Sequence, residues 1–221
     1  MNQPVLHRDD PDQEPLVGNI KVTRQDWLNA AMDVLISDGV DQVKILALAS
    51  RMGVSRSSFY WYFKDRQGLL DALLEEWQGT NTAALVHAAA APADTVTQAV
   101  GNVFLGFLDA NAFNTALDFA VRDWSRRSDE VKRVLDQSDA RRIEALTAMF
   151  ARFGYDPLDA QTRAKVLYYM QIGYNDADLR EPLEERLRQM ASYLVAFTGR
   201  VAGDDEVSHL HDAVRKLTLN A

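Results

Sequence analysis

The chain has 221 residues, of which 47% are hydrophobic, carries a formal net charge of −8 and contains no cysteine. That length supports an ordinary buried core in one or two domains, and the lack of cysteine excludes disulfides, thiolate catalysis and cysteine-based zinc sites. No apolar run approaches the ~20 residues that span a bilayer and no signal peptide opens the chain, so the expectation is a cytoplasmic protein with no membrane partner.

The first 20 residues place Pro4, Pro11 and Pro15 among Asp9, Asp10, Asp12 and Glu14. With too few apolar groups to offset the entropy of ordering, residues 1–20 read as a mobile arm, and the acids around Arg8 speak against a minor-groove role for it. Thr23 then offers an N-cap, with Asp26 three residues on and Val22 and Trp27 in the staple positions, so a helix is expected from Arg24. Trp27, Ala30, Ala31, Val34 and Leu35 give that helix one apolar face, and Gly39 stops it.

The stretch from Val43 to Leu70, VKILALASRMGVSRSSFYWYFKDRQGLL, is the most informative in the chain. Ile45, Leu48, Ala49 and Met52 fall at the spacing of one face of a short helix, which Gly53 ends. Ser55 is placed to cap a second helix, with Val54 and Phe59 as its staple. Phe59 and Phe63 then point inward, leaving Arg56, Ser57, Ser58, Tyr60 and Trp61 for the outer sides, where a recognition helix presents side chains to base edges. Between Lys44 and Arg66 five basic residues (Lys44, Arg51, Arg56, Lys64, Arg66) face the single acid Asp65, a local balance of +4. A basic patch on an acidic body orients a protein on a polyanion while the remaining surface is repelled by it.

The string resembles the DNA-binding domain of the TetR family of bacterial transcriptional regulators. The resemblance is carried by Gly53, Val54, Ser55, Phe59, Tyr60, Tyr62, Phe63, Lys64, Asp65, Arg66 and Leu69. It implies base or groove contacts for Arg56, Ser57 and Trp61, phosphate contacts for Tyr60, Tyr62 and Lys64, and a place near the backbone for Arg66. Two positions depart from the family pattern: Lys44 stands where a small hydroxyl residue often starts the second helix, and Leu46 where a polar or basic residue is common. Lys44 can supply a point charge to a phosphate instead.

Beyond Asp65 every readable segment is helical. Asp65 caps a helix using Leu69, Leu70, Leu73, Leu74 and Trp77, and the alanine-rich run to Ala91 is stopped by Pro92. Thr95 starts another, with Val96, Val100, Val103, Phe104, Phe107 and Leu108 at helical spacing. A short helix is expected from about Ala112 to Trp124, a long one from about Glu130 to Phe153 ending at Gly154, one from about Leu158 to Tyr174, and one from near Pro182 striped by Leu183, Leu187, Met190, Leu194 and Phe197. Without alternating strand patterns or internal repeats, the class is all-α. The expected division is a helix-turn-helix unit over 21–66 and a helical effector-binding and dimerisation unit over 67–221.

The family resemblance implies a C-terminal body that binds a small molecule and dimerises through two late helices. Residues whose size and polarity exceed what packing needs are Phe104, Phe107, Trp124, Tyr168, Tyr169 and Tyr174, each of which also fits plain core duty. Gly101, Gly106 and Gly173 thin the same helices, which tends to leave a cavity beside bulky rings. Arg122 and Asp123 fit either a buried ligand-orienting pair or an exposed ion-paired helix surface. His209 and His211 follow Asp204, Asp205 and Glu206, but residues two apart on a helix do not share a face, and a solvated terminal helix is the alternative to a metal site. No nucleophile motif, zinc motif or phosphate loop is present, so neither an enzyme nor a cofactor is expected. The reading is a homodimeric repressor that binds a palindromic double-stranded DNA operator and is released by an apolar or aromatic small-molecule effector. Control by a protein partner, or by no ligand, is the nearest competitor.

Overall fold

The computed structural model describes residues 22–177, 179 and 181–219; the arm expected over 1–20 lies outside them. The described chain is helical throughout: α1 (Arg24–Asp38), a 3-10 turn (Val40–Gln42), α2 (Ile45–Arg51), α3 (Arg56–Phe59), α4 (Arg66–Trp77), a π turn (Gln78–Thr82), α5 (Ala83–Ala90), α6 (Val96–Leu108), α7 (Thr115–Ser125), α8 (Asp129–Arg152), α9 (Pro157–Asp176), α10 (Leu183–Thr198) and α11 (Asp204–Leu219).

Local chemistry sets most of these boundaries. Thr23 and Asp26 form a complete capping box at α1, and Gly39 ends it at φ 81°. Such a positive φ is open to glycine and costly for a residue with a Cβ. Side chains of Asp65, Thr95, Asn114, Ser128 and Asp156 accept from first-turn N–H groups of α4, α6, α7, α8 and α9. Asn114 explains why α7 begins at Thr115 and not at the expected Ala112.

Two segments differ from the sequence reading. The helix expected to run unbroken to Ala91 is interrupted by the π turn, where Gly79 is a poor helix former and Thr80 Oγ1 donates back to the Glu76 carbonyl at 2.8 Å. The terminal helix, read as solvated, is α11, and it buries Leu210 and Val214. Glu206 ties it to the start of α6 by accepting from Thr95 and Thr97 hydroxyls, both at 2.5 Å.

The buried residues form two clusters. One joins α1 to α4 with Leu117, Val121 and Trp124 of α7 and Val131 and Leu135 of α8. The other is built by α5, α6, the later part of α8, α9, α10 and α11. The first core therefore crosses residue 66, so the helix-turn-helix does not close on itself but packs directly onto α7.

Candidate functional site

The inward side chains of the helix-turn-helix are apolar. Leu48, Ala49, Phe59 and Phe63 are buried, with Ile45, Met52 and Val54 packed against them. Phe59 meets Trp27 edge-on at 5.2 Å and stacks on Phe63 at 5.4 Å, which locks α3 against α1. The α3 helix proper closes after Phe59, and the Tyr62 N–H bonds the Phe59 carbonyl at 3.0 Å, tightening the chain into an i→i+3 turn. Five consecutive aromatics from Phe59 to Phe63 are poor material for a longer helix.

The outward side chains are those the sequence singled out. Lys44, Ser55, Arg56, Ser57, Tyr60, Trp61, Tyr62 and Lys64 are exposed, Ser58 is half-buried, and Trp61 reaches 84% exposure. An indole left in water at that level is without a packing partner in the chain. Arg56 Nη2 donates to the Tyr60 hydroxyl at 2.7 Å while its guanidinium lies over the same ring, so the two form one pre-organised unit. Ser55 is the N-cap by backbone conformation, but its hydroxyl is turned to Ser57 at 2.8 Å and makes no cap bond. Lys44 Nζ donates to Gln42 Oε1 at 3.2 Å, and Tyr62 Oη donates to the Val22 carbonyl at 2.7 Å.

Arg66 is placed differently. Its Nε and Nη2 donate to the carbonyls of Val43 and Val40, both at 2.6 Å, so the guanidinium braces the approach to α2 from within the unit.

A second feature is a small cavity of about 70 Å³ between α6, α9 and α10, open at its mouth. Phe104, Phe107, Leu108, Met170 and Met190 supply its apolar wall, and Gln171, Tyr174, Glu181, Arg186 and Tyr193 its polar side. Tyr174 Oη donates to Glu181 at 2.8 Å, and Arg186 lies over the Tyr174 ring. Burial, then Glu181, raises the Tyr174 pKa. Of the six aromatics singled out in the body, Phe104, Phe107 and Tyr174 meet here. Tyr169 is 55% exposed on another face of α9. Trp124, another of the six, is instead buried in the same cluster as Trp27 and Phe59, because α7 packs on α1. The methionines and Glu181 carried no signal distinguishing them from core or loop residues.

Tyr168 belongs to a third feature, a buried charge cluster. Arg122 donates to Asp118 at 3.0 Å and to both oxygens of Asp139 at 3.1 and 2.9 Å, and Arg142 pairs with Asp118 at 2.9 Å. Tyr168 Oη accepts from both arginines and donates to Asp139 at 2.6 Å. The Trp77 indole N–H donates to Asp118 at 2.8 Å, bringing the end of α4 into the cluster. Burial alone would raise the Asp118 pKa, but Arg142, Arg122 and the indole N–H outweigh it and hold the carboxyl below its ordinary value. Of the pair considered from sequence, Arg122 is therefore internal, while Asp123 is exposed and pairs with Arg127 at 3.3 Å.

His209 and His211 lie on α11, and no group of three potential ligands for a metal occurs among the described residues. Among those residues no helix is long and apolar enough to cross a membrane.

Residues 28–73 match the family model for bacterial regulatory proteins, tetR family. The chain is 27% identical to the tetracycline repressor protein class C of Escherichia coli over 184 residues, covering 80% of this chain and 78% of that protein. Its fold matches the crystal structure of Mycobacterium smegmatis AmtR with TM-score 0.59 at 18% identity, over 95% of this chain and 99% of that one. It also matches Bacillus subtilis FadR, solved in complex with stearoyl-CoA, with TM-score 0.51 at 16% identity, over 88% and 97% of the two chains. Residues 28–73 are thus a helix-turn-helix of the TetR family of bacterial regulatory proteins, and the helical body that follows is similar to that of the tetracycline repressor.

Proposed function

We propose that the protein is a homodimeric, ligand-responsive repressor of the bacterial cytoplasm, in which residues 21–66 bind a palindromic operator and residues 67–221 bind an effector and dimerise. The observation that carries this reading is the Arg56, Tyr60 and Trp61 surface, exposed on a basic unit whose inner face is fixed by Trp27, Phe59 and Phe63. Arg56, Ser57 and Trp61 address base edges or the groove. Lys44, Ser55, Ser58, Tyr60, Tyr62 and Lys64 lie along the phosphates, and Arg66 supports the backbone beside them.

The exposed stripe of Leu158, Val166 and Tyr169 on α9 supports burial against a second copy, which would set two recognition helices roughly 34 to 36 Å apart in successive major grooves. The cavity between α6, α9 and α10 suits an apolar or aromatic effector, and the FadR complex supports a small-molecule ligand in this fold. Tyr168 lies on α9 one turn before Gln171, so the helix that walls the cavity also enters the charge cluster at the end of α4. A ligand that prefers the body conformation with the wrong helix spacing would release DNA by that differential affinity.

The test is selection of duplexes from a random pool, followed by salt titration with the wild type and Arg56→Ala. Arg56→Ala is expected to lose about 1 to 3 kcal/mol on the selected site and to relax its sequence preference. Salt-independent binding, or unchanged affinity and preference in the variant, would overturn the reading.

A further inference from the structure

Leu46 is a large apolar side chain with no duty inside the chain. It is 70% exposed on α2, although Leu48 and Ala49 of the same short helix are fully buried and Ile45 and Met52 pack against the core. The outer face of α2 is thus Leu46, Ala47, Ser50 and Arg51. The turn between α2 and α3 is closed by the Val54 N–H on the Ala49 carbonyl at 3.0 Å and the Gly53 N–H on the Ser50 carbonyl at 3.2 Å, so a tight bonded turn joins the two helices. Around Leu46 in the sequence stand Lys44, Arg51 and Arg56, the cations of the DNA-facing unit.

A leucine offers nothing to a phosphate and neither donates to nor accepts from a base edge. The major-groove feature it does complement is the C5-methyl group of thymine, which distinguishes a T·A pair by apolar contact alone. We propose that Leu46 is a specificity-determining residue that packs on a thymine methyl in each operator half-site, so that α2 contributes a base reading of its own beside that of Arg56. The inference rests on the DNA-binding reading above.

The experiment uses the full-length protein and the duplex it enriches from a random pool. Each thymine of a half-site is replaced in turn, symmetrically, by uracil, which deletes the methyl and keeps every hydrogen-bonding group. Burial of one methyl corresponds to about fourfold in affinity, and a symmetric pair to about 15-fold. Wild type is expected to show that loss at one thymine position, and Leu46→Ala to bind the thymine and uracil duplexes equally there. Trp61→Ala should retain the discrimination at that position. A melting curve of Leu46→Ala matching wild type separates the effect from folding, as suits a side chain that packs on nothing. Wild type that is indifferent to uracil at every position, or Leu46→Ala that still discriminates, would overturn this inference and leave DNA binding standing. An unchanged duplex affinity combined with a change in oligomeric mass for Leu46→Ala would overturn it in favour of a protein contact. Failure to enrich any duplex would overturn the DNA-binding reading itself.

Discussion

The helix-turn-helix and the junction beneath it solve opposite problems with the same kinds of residue. In the first, aromatics fill the interior and the cations stand outside, so Arg56 and Lys64 are left for a partner. In the second, Arg122 and Arg142 are inside and their charge is balanced by Asp118 and Asp139, with the Tyr168 hydroxyl bridging them. The contrast separates two uses of arginine. An exposed guanidinium costs little stability and is available for recognition, whereas a buried one is costly unless a carboxylate pairs with it. Substitutions should therefore fall into two groups, one moving stability and the other moving DNA binding.

The largest effect is expected from Asp118, which joins Trp77, Arg122 and Arg142. Asp118→Asn leaves the buried Arg142 without a carboxylate and Arg122 with Asp139 alone, and should lower unfolding free energy by about 3 to 5 kcal/mol, measured by denaturant titration. Because the folded carboxyl lies below its ordinary value, the unfolded chain binds the extra proton as pH falls. The stability due to this group is complete above the ordinary carboxylate range and is lost as pH drops through the depressed folded value. Wild type should thus lose melting temperature on acidification, and Asp118→Asn should lose that part of the slope. A variant as stable as wild type would show that the cluster is an indifferent way of filling the junction.

The first region was legible in the sequence and the second was not, for a physical reason. Thr23 with Asp26, Asp65 with Gly68, and the Ile45, Leu48, Ala49 and Met52 stripe are all local, so spacing alone exposes them. The cluster joins residues far apart in the chain: Trp77 to Asp118, Thr82 to Arg142, Arg122 to Tyr168. No periodicity reports such pairings, and an Arg beside an Asp looks like an ordinary helix surface. The cavity lies between these cases. Phe104, Phe107 and Tyr174 stood out by size, but Met170, Met190 and Arg186 join them only once α10 folds over α6 and α9. Trp124 misled because a tryptophan in a predicted pocket helix gives no sign of which core it enters.

Trp124 gives the next test, since it belongs to the core shared by α1, α4 and α7. Trp124→Ala should cost about 3 to 5 kcal/mol of stability and weaken DNA binding along with it. An alanine variant with full DNA affinity and altered effector response would instead place the residue in the cavity's service and blur the division between the two regions.

A smaller effect is expected at the entrance to α1. Thr23→Ala removes the hydroxyl that accepts from the Asp26 N–H and should destabilise by about 1 kcal/mol, visible as a shift of the denaturation midpoint with unchanged slope. At protein concentrations where the fold remains intact, duplex affinity should be unaltered, because the cap supports the helix from outside the recognition surface.

Lys64 isolates the opposite limit. It is exposed, stands directly after the buried Phe63 and before the Asp65 cap, and its ammonium is expected to neutralise a phosphate without reading sequence. Lys64→Ala should leave stability within about 0.5 kcal/mol of wild type, as for a surface change away from caps and cores. Its effect should appear in the logarithmic dependence of duplex affinity on salt, whose slope should fall in magnitude by about one unit for each protomer bound, equally for selected and random sequences. A loss confined to the selected sequence would make Lys64 a base contact. A loss of stability would mean that the boundary between the recognising surface and the supporting core runs through this side chain and not beneath it.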